Sequence, residues 1–238
     1  MPYSRIDIPT PRDLFIRQIE DQIISGKLAV GEKLPTEREL EAETGIKQSV
    51  IHYALKELER MGFVRIAPRQ GVYVADYTRN GNADTLNEIL RFNGNRLTVK
   101  MATELVELRN ALEGAALIKL AENRSDEDLA ALRSVVDELR AMQGGEHSNT
   151  ELAEVAKKFH YLICELCGND IIPLVMNAFS PISSVLWKMC LRFWGVDGFI
   201  AHDEKIISLI EQGKGHEAQE FIIDIFNQYL EANKQYMK

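Results

Sequence analysis

Between Thr36 and Gly62 the chain carries two short helix patterns separated by a single glycine, and that spacing leaves few folds open. Thr36 and Glu39 have the spacing of a capping box, in which each side chain satisfies a backbone N–H of the first turn. Leu40 is the core position of the short helix that follows, and Gly45 ends it. Ile51, Ala54, Leu55 and Leu58 then recur at helical spacing up to Gly62. Two short helices joined by a tight glycine turn form a helix-turn-helix.

The flanks extend the motif. Upstream, Pro11 opens a helix with Phe15, Ile16, Ile19 and Ile23 on one face, stopped at Gly26. Downstream, Phe63–Ile66 and Val72–Val74 are β-branched and aromatic runs on either side of Pro68-Arg69-Gln70-Gly71, the pattern of a hairpin. Helix, helix-turn-helix and hairpin in this order predict a winged helix-turn-helix over residues 1–76.

The second helix of such a motif enters the major groove of double-stranded DNA with its N-terminal end. Here that end is Lys47, Gln48, Ser49, Val50, Ile51 and His52. Gln reads adenine in a bidentate way, Ser meets a base or a phosphate, and Lys meets guanine or phosphate. Arg69 and Gln70 fall at the wing tip, where a phosphate or minor-groove contact is natural, and Gly71 lets the backbone come close. The whole chain carries a net charge of −8. Residues 1–76 are nearly balanced, with 11 Lys/Arg against 12 Asp/Glu, and from Lys47 to Arg69 five basic residues face two acidic ones. The acidity therefore sits in the C-terminal part, and only a local patch is suited to nucleic acid.

Composition excludes several classes. With 45% hydrophobic and 27% charged residues the chain is an ordinary globular one, neither collagen-like nor low-complexity nor disordered. The longest apolar stretch, Ile171 to Trp194, is interrupted by prolines, serines, Lys188 and Arg192, so a helix of about 18 apolar residues across a membrane is not expected. The start, MPYSRIDIPTPRD, has no apolar secretory core. Three cysteines (Cys164, Cys167 and Cys190) read as reduced cytoplasmic thiols, and a lone CxxC does not make a zinc site.

The stretch IISGKLAVGEKLPTERELEAETGIKQSVIHYALKELERMGFVRIAPRQGVYV, within residues 12–75, resembles the DNA-binding domain of the GntR family of bacterial transcription regulators. The resemblance implies that Arg38, in the Glu-Arg-Glu triplet, contacts DNA together with the start of the second helix and the wing tip. The family usually has Ser/Thr-Arg-Thr at that helix start and Arg-Glu-Ala-Leu further on. Here Lys47-Gln48-Ser49 and His52-Tyr53-Ala54-Leu55 stand instead, so two arginines are replaced by Gln48 and His52. The departure implies an unusual operator and weaker phosphate anchoring, partly offset by Lys47.

Residues 77–83, with Asn80-Gly81-Asn82, read as a polar linker. From 84 to 238 only helix patterns appear. They start at Leu86, run from Val99 to Asn123, follow Ser125 as a cap, and run from Leu152 to Cys167. The next is Ile171 to Trp194, bent or split at Pro181; the last two are Asp203 to Glu211 and Ala218 to Tyr236. About seven helices around one core predict an all-α bundle, so the fold class is mostly α with a small β-hairpin wing. ELVELRNALEGAALIKLAENRSDEDLAAL, KFHYLICELCGND and DEKIISLIEQGKGHEA resemble the FCD effector domain of the FadR subfamily. That resemblance implies a homodimer, and a bundle that binds a small organic acid, often through a metal held by one Asp and three His.

Residue by residue, His160 matches the first of those histidines, but Ala156 stands where the Asp is implied. The next ligand falls on His202 or Asp203, and the last near Asp224 or Ile225. Zinc or nickel would suit a weaker set of His160, His202 or Asp203, and Asp224. With Ala156 in place no metal site is assigned. Arg109 and Glu113 match an Arg…Glu pattern of the first long bundle helix. Either they pair with each other, or Arg109 receives a ligand carboxylate. The effector-binding set is then Arg109, His160 and His202.

No catalytic motif is present: there is no P-loop, GxSxG or HExxH. The expected function is a ligand-responsive regulator that binds a near-palindromic operator as a homodimer, with a small organic acid as effector and no enzymatic activity. Two alternatives stay open. One is an acyl-CoA responsive regulator of the same family. The other is a helical small-molecule-binding protein whose DNA-binding head has weakened.

Overall fold

The computed structural model describes residues 8–233, and the chain divides into two compact units at Gly94–Asn95. The first seven residues of the N-terminal segment, and Tyr236 in the final helix pattern, lie outside the described residues.

In the first unit α1 (Pro11–Ile24) starts with Thr10 and Asp13 capping each other and proline in the first turn. Phe15, Ile16, Ile19 and Ile23 are all buried, as their spacing requires. α2 (Glu37–Thr44) begins with the Thr36–Glu39 capping box and ends at Gly45, whose φ of 71° is left-handed. α3 (Gln48–Arg60) buries Ile51, Ala54, Leu55 and Leu58. β1 (Val64–Ala67) pairs antiparallel with β2 (Gly71–Val74), in the register Val64↔Val74 to Ala67↔Gly71. One core joins these elements, with Phe63, Leu34, Leu40 and Met61 closing it.

Two features were not legible in the pattern. Residues 31–34 run along the free edge of β2. The Gly31 N–H donates to the Val74 carbonyl and the Leu34 N–H to the Val72 carbonyl, both at 2.9 Å, around a bridge between Lys33 and Tyr73. A single bridge between Gly31 and Pro35 carries no strand periodicity, so the segment looks like a turn in sequence. The expected linker is also ordered: α4 (Tyr77–Asn80) is one helical turn, and α5 (Ala83–Phe92) follows directly. α5 belongs to the first unit, where the pattern alone placed it with the bundle. Thr85 Oγ1 donates to the Met61 carbonyl at 2.6 Å, Asn82 Nδ2 to the Arg60 carbonyl at 2.9 Å, and Arg60 pairs with Asp84 at 2.7 Å. At its other end Arg91 reaches Asp21 at 2.8 Å and the buried Glu20 at 3.2 Å on α1. These are long-range polar ties that no local pattern encodes.

The second unit holds α6 (Val99–Asn123), α7 (Asp126–Ala141), α8 (Asn149–Leu166), α9 (Ile171–Ala178), α10 (Ser180–Glu211) and α11 (Gly215–Asn233). α7 and α8 each open on a capping box, Ser125–Asp128 and Ser148–Glu151. α6 packs mainly on α11, and α8 packs against α6, α7 and α10. The split after α9 falls at Phe179, with Pro181 in the first turn of α10. α10 breaks at Gly195, with φ 66°, and then runs on to Glu211, so its second half starts earlier than Asp203. Lys157, on α8, is mostly buried, and its Nζ donates to Ser184 Oγ at 2.8 Å. Among the described residues no single helix is long and apolar enough to cross a membrane.

The approach of α4 to α3 turns on Gly62. Its φ is 78°, and a Cβ there would lie 2.3 Å from the Asn80 carbonyl oxygen. Gly26 also has positive φ, 76°, but a Cβ would meet nothing within 4 Å. Gly26→Ala should therefore show only the backbone penalty of about 1–2 kcal/mol. Gly62→Ala should lose more, about 3 kcal/mol or above, because backbone has to move. Urea denaturation of the two variants checks the difference; equal losses would contradict the close packing.

Candidate functional site

Two sets of functional side chains emerge, one in each unit. In the first, Gly45 turns the chain so that the N-terminal end of α3 follows α2 after three residues, Gly45 to Lys47. Arg38, Lys47, Gln48, Ser49, His52, Arg69 and Gln70 are all exposed, and Gly71 is half-buried at the start of β2. Arg38, Lys47 and Arg69 make no ion pair or side-chain hydrogen bond among the described residues. Elsewhere in this unit Lys56, Arg60, Arg79 and Arg91 are all paired with carboxylates. Arg69 has φ 63°, a left-handed conformation that a side chain other than glycine adopts only under strain. Gln48 and His52 are not free: Gln48 Nε2 donates to Glu41 Oε2 at 2.7 Å, and His52 Nδ1 meets Glu37 Oε1 at 2.8 Å.

The structure adds residues to this face. Tyr53, 68% exposed, packs edge-on against His52. A large aromatic four residues after Ser49 on a helix otherwise apolar only inward was the available signal. Lys33 and Arg65 lie over the ring of Tyr73, at 6.0 and 5.5 Å from its centroid. That cluster depends on the 31–34 edge, so it could not be read from sequence.

In the second unit a chain of ionic side chains is sealed in the bundle. Arg109 and Glu113 lie one turn apart on α6 and pair at 2.8 Å, 1% and 0% exposed. The other oxygen of Glu113 meets Nδ1 of His160, on α8. Nε2 of His160 faces Asp203, on α10, at 3.7 Å. Trp187 stacks on the His160 ring at 4.3 Å, and the Arg109 guanidinium lies 4.7 Å from the Trp187 ring centroid. Of the two readings of Arg109, the intramolecular pair with Glu113 is present. Only one of its nitrogens is used, however. Arg109 Nε and Nη1, Trp187 Nε1, Asp203 Oδ1, His202 Nδ1 and Tyr229 OH are buried without a hydrogen-bond partner among the described residues. Buried polar atoms left unpaired are costly and are normally met by water or ligand.

Charge in this cluster is set by burial and neighbours. Burial opposes ionisation of Glu113, but the charges and hydrogen bonds of His160 and Arg109 outweigh it and hold the carboxyl below its ordinary value. Asp203 has no such partner, and burial, reinforced by the charge of Glu113, pushes it well above its ordinary value. Burial and then His160 hold His202 down. Asp203, not His202, lies in the cluster beside His160. His202 is half-buried against Trp194 and Phe221, with no hydrogen bond to Arg109 or His160 among the described residues.

The metal cage does not fit these residues. Ala156 is buried and offers no donor, Asp224 is exposed, and Nδ1 of His160 is engaged by Glu113. Among the described residues no group of three or more His, Cys, Asp or Glu side chains is placed to hold a metal ion. Cys164 and Cys190 are buried, and burial pushes both thiols up, which makes them unreactive.

Comparison with known proteins agrees with this division. The family model described as "Bacterial regulatory proteins, gntR family" matches residues 15–74, and the FCD domain model matches residues 104–228. The HTH-type transcriptional regulator LutR of Bacillus subtilis is 24% identical over 90% of this chain and 100% of its own length. The HTH-type transcriptional regulator Mce2R of Mycobacterium tuberculosis is 30% identical over 75% of this chain and 71% of its own. Among solved structures, Lar, which controls the expression of the Listeria monocytogenes agr system, superposes with a TM-score of 0.62 at 16% identity, covering 98% of this chain and 100% of that one. At that identity the likeness concerns the fold alone.

The ionic cluster makes opposite demands on pH. Because the folded state depresses Glu113, that residue stabilises the protein above its ordinary value of 4.5, and the contribution is lost as pH falls through the folded value. Asp203 is raised, so the folded chain keeps a proton that the unfolded chain has lost; stability falls as pH rises from 3.8 toward the folded value. Asp203→Asn should therefore be more stable than the parent at neutral pH, with the gain growing as pH rises from about 4. Glu113→Ala should lose about 3–5 kcal/mol, because the buried Arg109 guanidinium loses its anion and His160 its hydrogen-bond partner. Urea titrations across pH test both; an Asp203→Asn variant whose advantage shrinks with pH would contradict the assignment.

Proposed function

Because the chain belongs to the GntR family of bacterial transcriptional regulators and carries an FCD effector-binding domain, we propose that it binds a near-palindromic operator as a homodimer and responds to a small organic acid held in the helical bundle. It is a regulator and not an enzyme, as its family and relatives are. It works in the cytoplasm on this reading, where the genome is.

On the DNA side the supporting observation is the set of unpaired, exposed cations on α2, at the start of α3 and on the wing, in a chain of net charge −8. Arg38 and Lys47 meet phosphates, Gln48, Ser49 and His52 face base edges, and the strained Arg69, with Gln70 and Gly71, brings the wing to the backbone. Dimer symmetry then sets two half-sites about one helical turn, ~34–36 Å, apart.

On the effector side the supporting observation is the set of unpartnered donors in a sealed cluster. Arg109 Nε and Nη1 and Trp187 Nε1 have no acceptor among the described residues. An anionic ligand oxygen supplies what they lack, and His160, tied to Arg109 through Glu113, is the second group beside it. No step needs a metal. A ligand shifts DNA affinity only by binding the two states of the regulator unequally.

Arg38→Ala should weaken operator binding at least tenfold without unfolding the chain and lower the salt slope of binding by about one. Gel shifts against genomic fragments at several salt concentrations check this; unchanged binding would sink the placement of the DNA face. Small molecules released by denaturing purified protein, identified by mass spectrometry, should include a carboxylic acid. Arg109→Lys protein, which keeps the charge but loses the planar guanidinium, should release none. An acyl-CoA in that fraction would favour the other regulatory reading.

A further inference from the structure

Two carboxylates pair with side chains of the reading helix, and the function above does not explain them. Glu37 and Glu41 stand one turn apart on α2, and Gln48 and His52 stand one turn apart on α3. They pair across the turn: Glu41, nearer to it, accepts from Gln48, and Glu37, one turn back, meets His52, one turn on. As stabilising contacts these are weak, because half-exposed pairs of this kind contribute little. For DNA affinity they are unfavourable, because negative charge near phosphates opposes binding.

Their effect is on orientation. A carboxylate can only accept, so Glu41 decides which end of the Gln48 amide turns toward α2: it is the nitrogen. The carbonyl oxygen and the second amide hydrogen remain for a partner. An acceptor beside a donor matches the amino group and N7 of adenine in the major groove. An unheld glutamine presents either end and loses more rotamer freedom on binding. Glu37 acts on His52 in the same way, engaging Nδ1 and leaving Nε2 as the free ring nitrogen.

We propose that Glu41 and Glu37 are positioning residues for sequence readout: they hold Gln48 and His52 in one orientation, so that Gln48 reads adenine, while lowering overall affinity for DNA. This rests on the reading of α3 as the recognition helix.

The test uses full-length protein to select sites from a duplex library with a randomised core. The base read by Gln48 is the one whose preference disappears in Gln48→Ala. At that position the parent should select adenine. Glu41→Ala should lose about tenfold of that preference, yet bind a duplex of unrelated sequence more tightly than the parent. Glu41→Gln keeps an accepting oxygen without the charge, and should keep the preference. Glu37→Ala should relax a different position, the one lost in His52→Ala. Wild-type preference in Glu41→Ala, or equal loss in Glu41→Gln and Glu41→Ala, would overturn the proposal, as would guanine at the Gln48 position. A Gln48→Ala protein that selects like the parent everywhere would instead overturn α3 as the recognition helix, and this inference with it.

Discussion

The carboxylate of Glu113 is the group on which the interior of the helical unit depends. One oxygen holds Arg109 on its own helix and the other holds His160 on α8. Removing Arg109 or His160 would leave a buried anion short of a partner, and removing the anion would leave a buried guanidinium unpaired, so the three must be kept or replaced together. Trp187, on α10, completes the arrangement by stacking on His160 beneath the guanidinium. Three helices are therefore registered against one another by chemistry that an apolar core would not supply. The same cluster leaves several polar atoms without a hydrogen-bond partner among the described residues, and buried groups of this kind are normally met by water or a ligand.

The head works on the opposite principle. Its core is apolar and continuous from Phe15 to Val74, only Glu20 and Thr85 being buried polar side chains among the described residues of this unit, and the polar interactions of the reading helix lie at the rim. There, carboxylates of α2 hold the side chains at the start of α3, while Arg38, Lys47 and Arg69 stay unpaired. Holding uncharged or weakly basic groups while leaving the strong cations free separates two tasks. The free cations suit a phosphate backbone of any sequence, and the held groups suit base edges. At its far end α3 is tied to α5 through Met61 and Arg60, so that helix is anchored at both ends within one unit.

How much could be read beforehand follows from the range of each interaction. The capping boxes at Thr36 and Ser125, the apolar stripe of α1 and the glycine stop at Gly45 are local, and they appear in the structure where the residue types place them. The cap at Ser148 is equally local, but the apolar pattern of α8 starts only at Leu152, so the periodicity does not point to it. The Lys33–Tyr73 bridge, the docking of α5 and the burial of Lys157 depend on partners 22 to 71 residues away, and no periodicity records them. In the site, Arg109, Glu113 and His160 were legible from residue type and register. The choice between His202 and Asp203 was not, because adjacent residues on a helix differ by about 100° and the Gly195 break resets the phase.

By itself, then, the sequence determined the classes of element, their order, the winged head and the helical effector unit, because capping, periodicity and turn chemistry act within a few residues. Tertiary structure alone decided which polar groups meet. It brought Glu41 to Gln48 and Glu37 to His52, joined Arg109 to His160 through Glu113, put Asp203 in the cluster and left His202 at its edge. The physical reason is that hydrogen bonds and ion pairs depend on distances of about 3 Å and on direction, and side chains on different helices reach those distances only after the helices have packed.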